Sequence, residues 1–395
     1  MLKLKKINLI NYDLTTLYYL FSITRNILLY LPVLVLFLEM TLENSSKVGI
    51  VLFSKSLTVS LLEIPLGYFS DKVSRKFSLK LSIILNILSL LCFIYHPTFL
   101  TLILAEILFG ISETFSSGAD IALIYDNYKY QNKIKEYDHY QRNEIFILSI
   151  VLACSFFLGS ILYELHYSLV FIFSLFFLFF SFVLLLSIPE YPYKQKNLNK
   201  PTTFWKNIKL SLLLIIHSKK ELKIHVFNGV LLNSAFMGAY MYMFPIILNN
   251  YTHSKIIYGF IYAIAVLLIG IGGKFQNKIP INCIFIFPLL MFLVFLLCTC
   301  LKTQVIVIII SFLFMRLIWG IYNSYFLITM NHLIKDSIIR ATFFSFYNAA
   351  INLLSGSIIF ILGFVSEHLK KNMSILFLSF LFLIVFLIQK RKNFS

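Results

Sequence analysis

Long apolar runs alternate with short polar segments along almost the whole chain. Runs such as FIFSLFFLFFSFVLLL at 171–186 are apolar on every face, and about 20 apolar residues suffice to cross a bilayer as a helix. Because lipid leaves no backbone group unpaired, each run is predicted to form one helix. The predicted spans are 12–40, 47–70, 77–95, 98–126, 144–164, 168–188, 222–250, 255–275, 280–301, 303–332, 338–365 and 372–389.

The composition agrees with this pattern and excludes most other classes of protein. Hydrophobic residues make up 59% of the 395 residues and charged residues only 13%, whereas soluble domains carry about 25% charged residues. A soluble enzyme, a disordered chain and a secreted disulfide scaffold are therefore excluded. The five cysteines form no CxxC pair and the histidines form no HExxH, so we predict no cofactor and no metal site.

Lysine and arginine residues are concentrated on one side of the predicted helices. Of the 34 basic residues, 26 lie in the terminal segments or in loops that twelve spans place on the same side, here called the basic face. Loops of the opposite face carry only five. The positive-inside rule puts the basic face and both termini in the cytoplasm, in a multi-pass protein of the cytoplasmic membrane. This asymmetry explains the net charge of +17 without a nucleic-acid partner.

The longest polar segment divides six spans from six. We therefore predict an N-terminal six-helix bundle at 1–190, a cytoplasmic linker at 191–221 and a C-terminal six-helix bundle at 222–395. Within the linker, 202–216 has apolar residues on one helical face and fits a helix lying at the membrane surface. An ordinary connecting segment fits the same sequence equally well.

A charged motif follows span 2. The segment LLEIPLGYFSDKVSRK at 61–76 matches G-x-x-x-D-x-x-x-R-[RK] and resembles a loop signature of the major facilitator superfamily. SGADIALIYD at 117–126 and RATFFSF at 340–346 resemble a bacterial, drug-efflux-like branch of it. The resemblance implies an all-α membrane protein with twelve helices in two pseudo-symmetric bundles, acting as a monomer. The motif residues are Glu63, Pro65, Gly67, Asp71, Arg75, Lys76 and Asp126.

These motif residues are expected to form a gate at the basic face. Gly67 would let two helices approach closely, and Asp71 would lie near the N-terminus of span 11, as the resemblance implies. Arg75 would pair with a carboxylate at the foot of span 4, either Asp126 or, as second choice, Asp120. The alternative is a basic loop whose charges are only solvated.

Ionisable residues inside the spans are the candidates for a central site, because an unpaired charge in a bilayer is costly. Glu106, Glu113 and Asp120 of span 4 are spaced by seven and would share one helix face. The resemblance implies that spans 1, 4, 7 and 10 line a cavity, where Arg25, Glu113 and Arg316 would meet. The candidate cavity residues are Arg25, Asn26, Glu106, Glu113, Asp120, Asn233, Met237 and Arg316.

Other spans add to this picture. Lys55 of span 2 is expected to pair with Glu39 or Glu106, and Met237 belongs to a mixed polar, thioether and phenol surface on span 7 that would suit an adaptable binding wall. Structural ion pairs and helix packing are the alternative interpretations of these same residues. Span 5 lacks the GPxxGG sequence of many proton-driven exporters, which leaves the direction of transport open.

Taken together, these features predict a secondary transporter working by alternating access. Its substrate would be a small molecule, and its transport would be coupled to protons taken up by Glu113 or Asp120. Efflux of a drug-like or amphipathic compound is the first interpretation. Import or export of an organic anion or metabolite is the second, because arginines would suit an anion. A non-transporting membrane sensor or a membrane-embedded enzyme is the alternative of another class, but no catalytic motif is recognisable.

Overall fold

The fold is that of a helical membrane protein. The computed structural model describes residues 14–191, 220–251, 254–278, 281–300, 305–333, 337–369 and 371–393, and no strand occurs in these ranges. Within the described ranges, nine helices are long and apolar enough to cross a membrane, judged by length and composition. Three shorter apolar helices, Leu31–Leu42, Ile286–Leu297 and Met373–Ile388, fall on the remaining predicted spans. The predicted all-α architecture is confirmed.

Six predicted spans form the N-terminal half. Span 5 begins ten residues earlier than predicted, because its polar start continues the helix and buries Tyr140 against the ring of Tyr19, with ring centroids 4.6 Å apart. The helices are Leu14–Arg25 and Leu34–Leu42 in span 1, Ser45–Lys72 in span 2, Arg75–Ile94 in span 3, Phe99–Ser116 and Ala119–Tyr130 in span 4, Ile134–Leu165 in span 5 and Tyr167–Ser187 in span 6.

Span 1 is interrupted, although the sequence predicted one continuous helix. The side-chain amide of Asn26 donates to the carbonyl oxygen of Ser22 at 2.8 Å, and its backbone N–H donates to the same oxygen at 3.2 Å, at the end of the first helix. Pro32 then occupies the start of a short 3-10 turn, Leu31–Val33, where its missing N–H costs nothing. An apolar run reveals its length but not where a polar side chain competes for the helix carbonyls.

Span 4 is also interrupted, between Ser117 and Ala119. Gly118 adopts a φ of +74°, a left-handed conformation that glycine tolerates and other residues rarely adopt. A new helix starts at Ala119 and carries Asp120 in its first turn. The prediction of an unbroken helix with three acidic residues on one face was therefore wrong, since the break lies between Glu113 and Asp120.

The C-terminal half repeats the six-span plan. A π-helical turn, Ala239–Met243, interrupts span 7, and the linker segment 202–216 lies outside the described residues. The helices are Lys220–Gly238 and Phe244–Tyr251 in span 7, Lys255–Phe275 in span 8, Ile281–Cys300 in span 9, Val305–Leu333 in span 10, Ser337–His368 in span 11 and Lys371–Asn393 in span 12.

Spans 2 and 11 join the two halves near the face opposite the basic face. A Cβ added at Gly363 would lie 2.6 Å from the carbonyl oxygen of Ser45. Near the middle of the same helices, a Cβ added at Gly356 would lie 2.5 Å from the Cβ of Ser56. Small residues thus allow the two backbones to approach closely between the opposite face and the middle of the two helices.

Spans 5 and 8 show the same one-sided closure. Gly259 packs against Ser160 near the opposite face. Towards the basic face, a Cβ added at Gly270 of span 8 or at Gly67 of span 2 would meet no described atom within 4 Å. The expectation that Gly67 sits in a close helix contact is therefore not met among the described residues of this conformation.

Candidate functional site

Two ion pairs of the N-terminal half join residues that were predicted as charges within the spans. Arg25 pairs with Asp120 at 2.9 Å, and Lys55 pairs with Glu113 at 2.9 Å. The helix breaks explain the first pair, since Arg25 ends the first helix of span 1 and Asp120 begins the second helix of span 4. Helix dipoles favour a cation at a C-terminus and an anion at an N-terminus, so both ends stabilise these charges.

The second pair has a buried neighbour. Lys55 also lies over the ring of Phe109, 4.4 Å from its centroid, and within electrostatic reach of Glu106. Glu106 is 1% exposed, and its Oε2 has no hydrogen-bond partner among the described residues. The buried hydroxyl of Tyr30 is unpartnered in the same sense. Three polar groups of one cluster, Glu113, Glu106 and Tyr30, thus lie around one cation.

The expected partners of Lys55 need correction. Its Nζ binds Glu113, whereas Glu39 accepts a hydrogen bond from the hydroxyl of Ser45 at 3.0 Å. Glu113 keeps 46% of its side chain exposed despite this pair. A carboxylate within a span is a candidate for a functional group, because it is costly to place in lipid.

The C-terminal half contributes a different kind of charge. Arg316 of span 10 is 4% exposed, and its Cζ lies 3.8 Å from the ring centroid of Tyr240 and 4.9 Å from that of Trp319. Its Nε has no hydrogen-bond partner among the described residues. Aromatic rings can stabilise a guanidinium, but they leave its hydrogen-bond donors unsatisfied.

Asn233 holds this aromatic wall in place. It accepts a hydrogen bond from the indole nitrogen of Trp319 at 2.9 Å and donates to the hydroxyl of Tyr347 at 2.8 Å. Met237, one turn further along span 7, stays partly exposed. Both residues were predicted as cavity residues, and only Asn233 has a bonding role in the described contacts.

The predicted meeting of Arg25, Glu113 and Arg316 is not what the structure shows. Arg25 forms an ion pair with Asp120, and Glu113 forms one with Lys55. Arg316 lies over an aromatic ring of its own half. Their sequence positions placed all three residues near the middle of a span. They could not show whether each residue lies closer to a partner in its own half or to one in the other half. Each of the three residues instead contacts partners of its own half, and only Arg25 and Glu113 have an oppositely charged partner among the described contacts.

Sequence reasoning missed one buried carboxylate, Glu144. It accepts a hydrogen bond from Tyr140 at 2.7 Å and another from Ser22, and it is 8% exposed. The predicted span 5 began at this residue, which the sequence analysis did not consider further. The spacing of Tyr140 and Glu144 by four residues, which puts both on one helix face, was the available signal.

The gate motif is anchored to its own half. Arg75 forms an ion pair with Asp126, the partner that the resemblance implied, and donates to the carbonyl oxygen of Ala122 at 2.9 Å. Lys76 donates to the carbonyl oxygen of Leu186 at 3.0 Å, at the end of span 6. The motif thereby ties span 3 to spans 4 and 6.

The remaining motif residues lie around the same loop. Glu63 is buried and accepts a hydrogen bond from Ser117, at the break of span 4, at 2.9 Å. Pro65 lies within the helix of span 2. The side chain of Asp71 lies outside the described residues, and with it the expected contact to span 11.

Two carboxylates close the opposite face in a symmetric way. Glu164, at the end of span 5, accepts hydrogen bonds from Ser254 and from the backbone N–H of Ile256 at 2.9 Å, where span 8 begins. Glu367, at the end of span 11, accepts one from the backbone N–H of Ser45 at 2.7 Å, where span 2 begins. Each half thus caps a helix N-terminus of the other, where open N–H groups favour an anion.

Two tyrosines reinforce this closure. The hydroxyl of Tyr258 donates to the carbonyl oxygen of Pro32 at 2.6 Å, and that of Tyr242 donates to the carbonyl oxygen of Ser45 at 3.3 Å. All four residues are buried. Among the described residues, the hydrogen bonds that join the two halves therefore lie towards the opposite face.

A family model described as Major Facilitator Superfamily matches residues 14–360. The chain belongs to the Major Facilitator Superfamily. As a member of this superfamily it is a multi-pass membrane transporter rather than an enzyme. No group of three potential metal ligands occurs in the described ranges.

Solved structures of other transporters share this fold. The nucleoside transporter NupG has a TM-score of 0.78 and 14% identity, covering 96% of this chain and 99% of its own. A D-xylose-proton symporter has a TM-score of 0.72 and 14% identity, covering 95% of this chain and 96% of its own. The human organic anion transporter MFSD10 (TETRAN) has a TM-score of 0.64 and 14% identity, covering 95% of this chain and 98% of its own. At these identities the likeness shows the fold alone, and no curated protein matches the chain in sequence.

Proposed function

We propose that this superfamily member is a secondary active transporter that moves a small molecule across the cytoplasmic membrane by alternating access. The positive-inside rule assigns the basic face and both termini to the cytoplasm. The contacts between halves then lie at the outer end, and the conformation is open to the cytoplasm. This one-sided closure carries the proposal, because a carrier exposes its central site to one side at a time.

The outward-open state follows from rocking the two bundles about the centre. Glu164 and Glu367 would leave the helix ends that they cap, while Gly67 would come against span 11 at the cytoplasmic end. The pair of Arg75 and Asp126 would stay within its own half and keep the motif loop rigid. In this proposal the motif serves the state in which the cytoplasmic side is closed.

Carboxylates of the N-terminal half are proposed to carry the coupling protons. Glu113 can be reached by water while it is paired with Lys55. Taking up a proton would release Lys55, whose remaining anionic neighbour is the buried Glu106. Loss of one pair and formation of another would link protonation to helix movement. Asp120 is the second candidate.

An amphipathic, drug-like compound is the proposed cargo, exported in exchange for protons by a monomer. The partly exposed Met237, Tyr240 and Met241 of span 7 support this assignment, since thioether and aromatic side chains adapt to varied ligands. Import or export of an organic anion or metabolite is the second candidate, which the buried cation Arg316 favours.

Transport into vesicles under an imposed proton gradient tests the coupling. We expect drug-like cargo to move against the proton flow, and Glu113→Gln to lose the response to the gradient. Glu136→Gln is the matched control, because Glu136 is exposed and pairs only with Lys133 in a surface contact. Flux that ignores the gradient in the unaltered protein would contradict the proton coupling.

Spin-label distances test alternating access without any cargo. In a variant without its five cysteines, one label pair would replace Lys47 and Lys255 at the opposite face, and another would replace Lys133 and Lys274 at the basic face. We expect the first distance to lengthen whenever the second shortens. Two distances that vary independently, or that never change, would overturn alternating access.

A further inference from the structure

The buried cation of the C-terminal half pairs with no anion in the part of the chain that the structure describes. A guanidinium stays protonated in proteins, so Arg316 carries its charge in every state. The groups that act on it electrostatically are two tyrosines, Tyr240 and Tyr262, and no carboxylate of the described residues binds it. A buried charge without a partner calls for one that arrives from outside the bundle.

The sequence leaves few candidates for such a partner within the same half. After residue 220 the only acidic residues are Glu221, Asp336 and Glu367. Glu367 caps span 2 at the opposite face. Glu221 lies 19 residues before Tyr240 on span 7, which is about 28 Å along a helix. Asp336 lies outside the described residues.

The N-terminal half does not supply the anion either. Glu113 and Asp120 are each paired with a cation on their own half, and Glu106 lies beside Lys55. The aromatic surface around Arg316 is nevertheless accessible, because Tyr240 and Trp319 keep part of their surface exposed. An acidic group bound at the guanidinium would therefore have rings beside it for its apolar part.

We propose that Arg316, with Tyr240 and Trp319, forms a binding subsite for the acidic group of a small organic anion that also carries an aromatic or apolar body. The planar guanidinium can bind a carboxylate through two parallel hydrogen bonds, with the donor Nε among them. Asn233 fixes Trp319 so that the ring stays beside this group. The subsite names the charge class of the cargo and rests on the proposed transport function.

Trp319 provides a direct measurement of binding. The chain has only two tryptophans, Trp205 and Trp319, so Trp205→Phe leaves the subsite ring as the sole indole reporter. The probes are 4-phenylbutyrate, its methyl ester and 4-phenylbutylamine, which share a body and differ in charge. We expect saturable quenching by the acid and at least tenfold weaker binding of the ester and the amine. Equal or tighter binding of the ester or the amine would overturn the subsite.

Substitution of the arginine sharpens the test. In the Trp205→Phe background, Arg316→Gln is expected to weaken acid binding at least tenfold, whereas Arg316→Lys keeps part of it, since an ammonium retains charge but not the planar fork. Lys47→Gln, which removes a surface cation, is expected to change nothing. Should Arg316→Gln fail to fold, the three probes on the Trp205→Phe protein still decide.

Binding and transport failures can be told apart. The fluorescence measurement needs no flux, and the spin-label distances need no cargo. Selective acid binding in a protein that shows no coupled distance changes would overturn the transport proposal and keep the subsite. Coupled distance changes with no preference for the acid would overturn the subsite and keep the transport proposal.

Discussion

The two halves of the molecule share one helical plan but handle buried charge in opposite ways. In the N-terminal half, four anions and cations form two pairs, Arg25 with Asp120 and Lys55 with Glu113. In the C-terminal half, Arg316 lies on aromatic rings without a carboxylate among its described contacts. Paired charges that can exchange partners suit proton movement, and an unpaired cation suits an anionic cargo. Pseudo-symmetry therefore sets the framework and leaves the chemistry of each half free.

Breaking a pair in the N-terminal half should give the largest effect. Asp120→Asn would leave the partly exposed Arg25 within a span without its anion, and we expect transport to fall about tenfold, because an unpaired charge is costly in the bilayer. The exchanged double variant, Arg25→Asp with Asp120→Arg, should recover little, because both charges would then oppose the helix dipoles. Full recovery by the exchanged pair would show that the helix ends do not matter.

Glu106 offers the reverse test in the same half. Its Oε2 is buried with no hydrogen-bond partner among the described residues, so Glu106→Gln removes a charge that is costly to bury. We expect the melting temperature to rise by roughly 1–3 °C for about 1–2 kcal/mol, while the response of transport to a proton gradient weakens. A lower melting temperature would mean that the Lys55 cluster needs both carboxylates ionised.

The one-sided interface can be tested with two glycines. Gly363→Val would push against Ser45 and should favour opening of the opposite face by about 1–3 kcal/mol, a typical cost of overpacking. Gly67→Val meets open space in this conformation and should instead hinder closure at the basic face. The spin-label distances are the measurement. A change in the same direction for both variants would contradict the one-sided arrangement.

Removing the symmetric helix caps should have a smaller effect. Glu164→Gln and Glu367→Gln each keep an acceptor but lose the charge at a helix N-terminus, for about 0.3–1 kcal/mol apiece. We expect each to shift the distance between Lys47 and Lys255 labels towards open states by a few fold, and by equal amounts because the two caps are related by symmetry. A strong imbalance would show that one span pair controls the closure.

The smallest effect should come from the surface pair of Lys133 and Glu136. Their nitrogen and oxygen lie 3.2 Å apart, and each side chain is about half exposed. Glu136→Gln should change the stability by about 0.5 kcal/mol or less, measured by thermal unfolding. A larger loss would mean that the start of span 5 depends on this loop.

Particular residues show how far sequence reasoning reached. The pairing of Arg75 with a carboxylate at the foot of span 4 came from a motif with fixed spacing, and the structure places Asp126 there. The grouping of Glu106, Glu113 and Asp120 on one face failed, because Gly118 interrupts the helix between the last two. Glu144 was overlooked since its tyrosine partner lay outside the predicted span. Local patterns reveal which groups are costly to bury, but not which partners meet them.

The sequence by itself determined that this chain fills a bilayer with twelve helices in two sets of six, because hydrophobic length and the absence of water in lipid allow little else. It also identified the charged residues inside the predicted spans, which are costly to place in a bilayer. Only the tertiary structure decided their partners and the side on which the halves meet. Contacts between distant spans depend on where helices break and on which small residues face each other, and neither is encoded in the local pattern of apolar and polar positions.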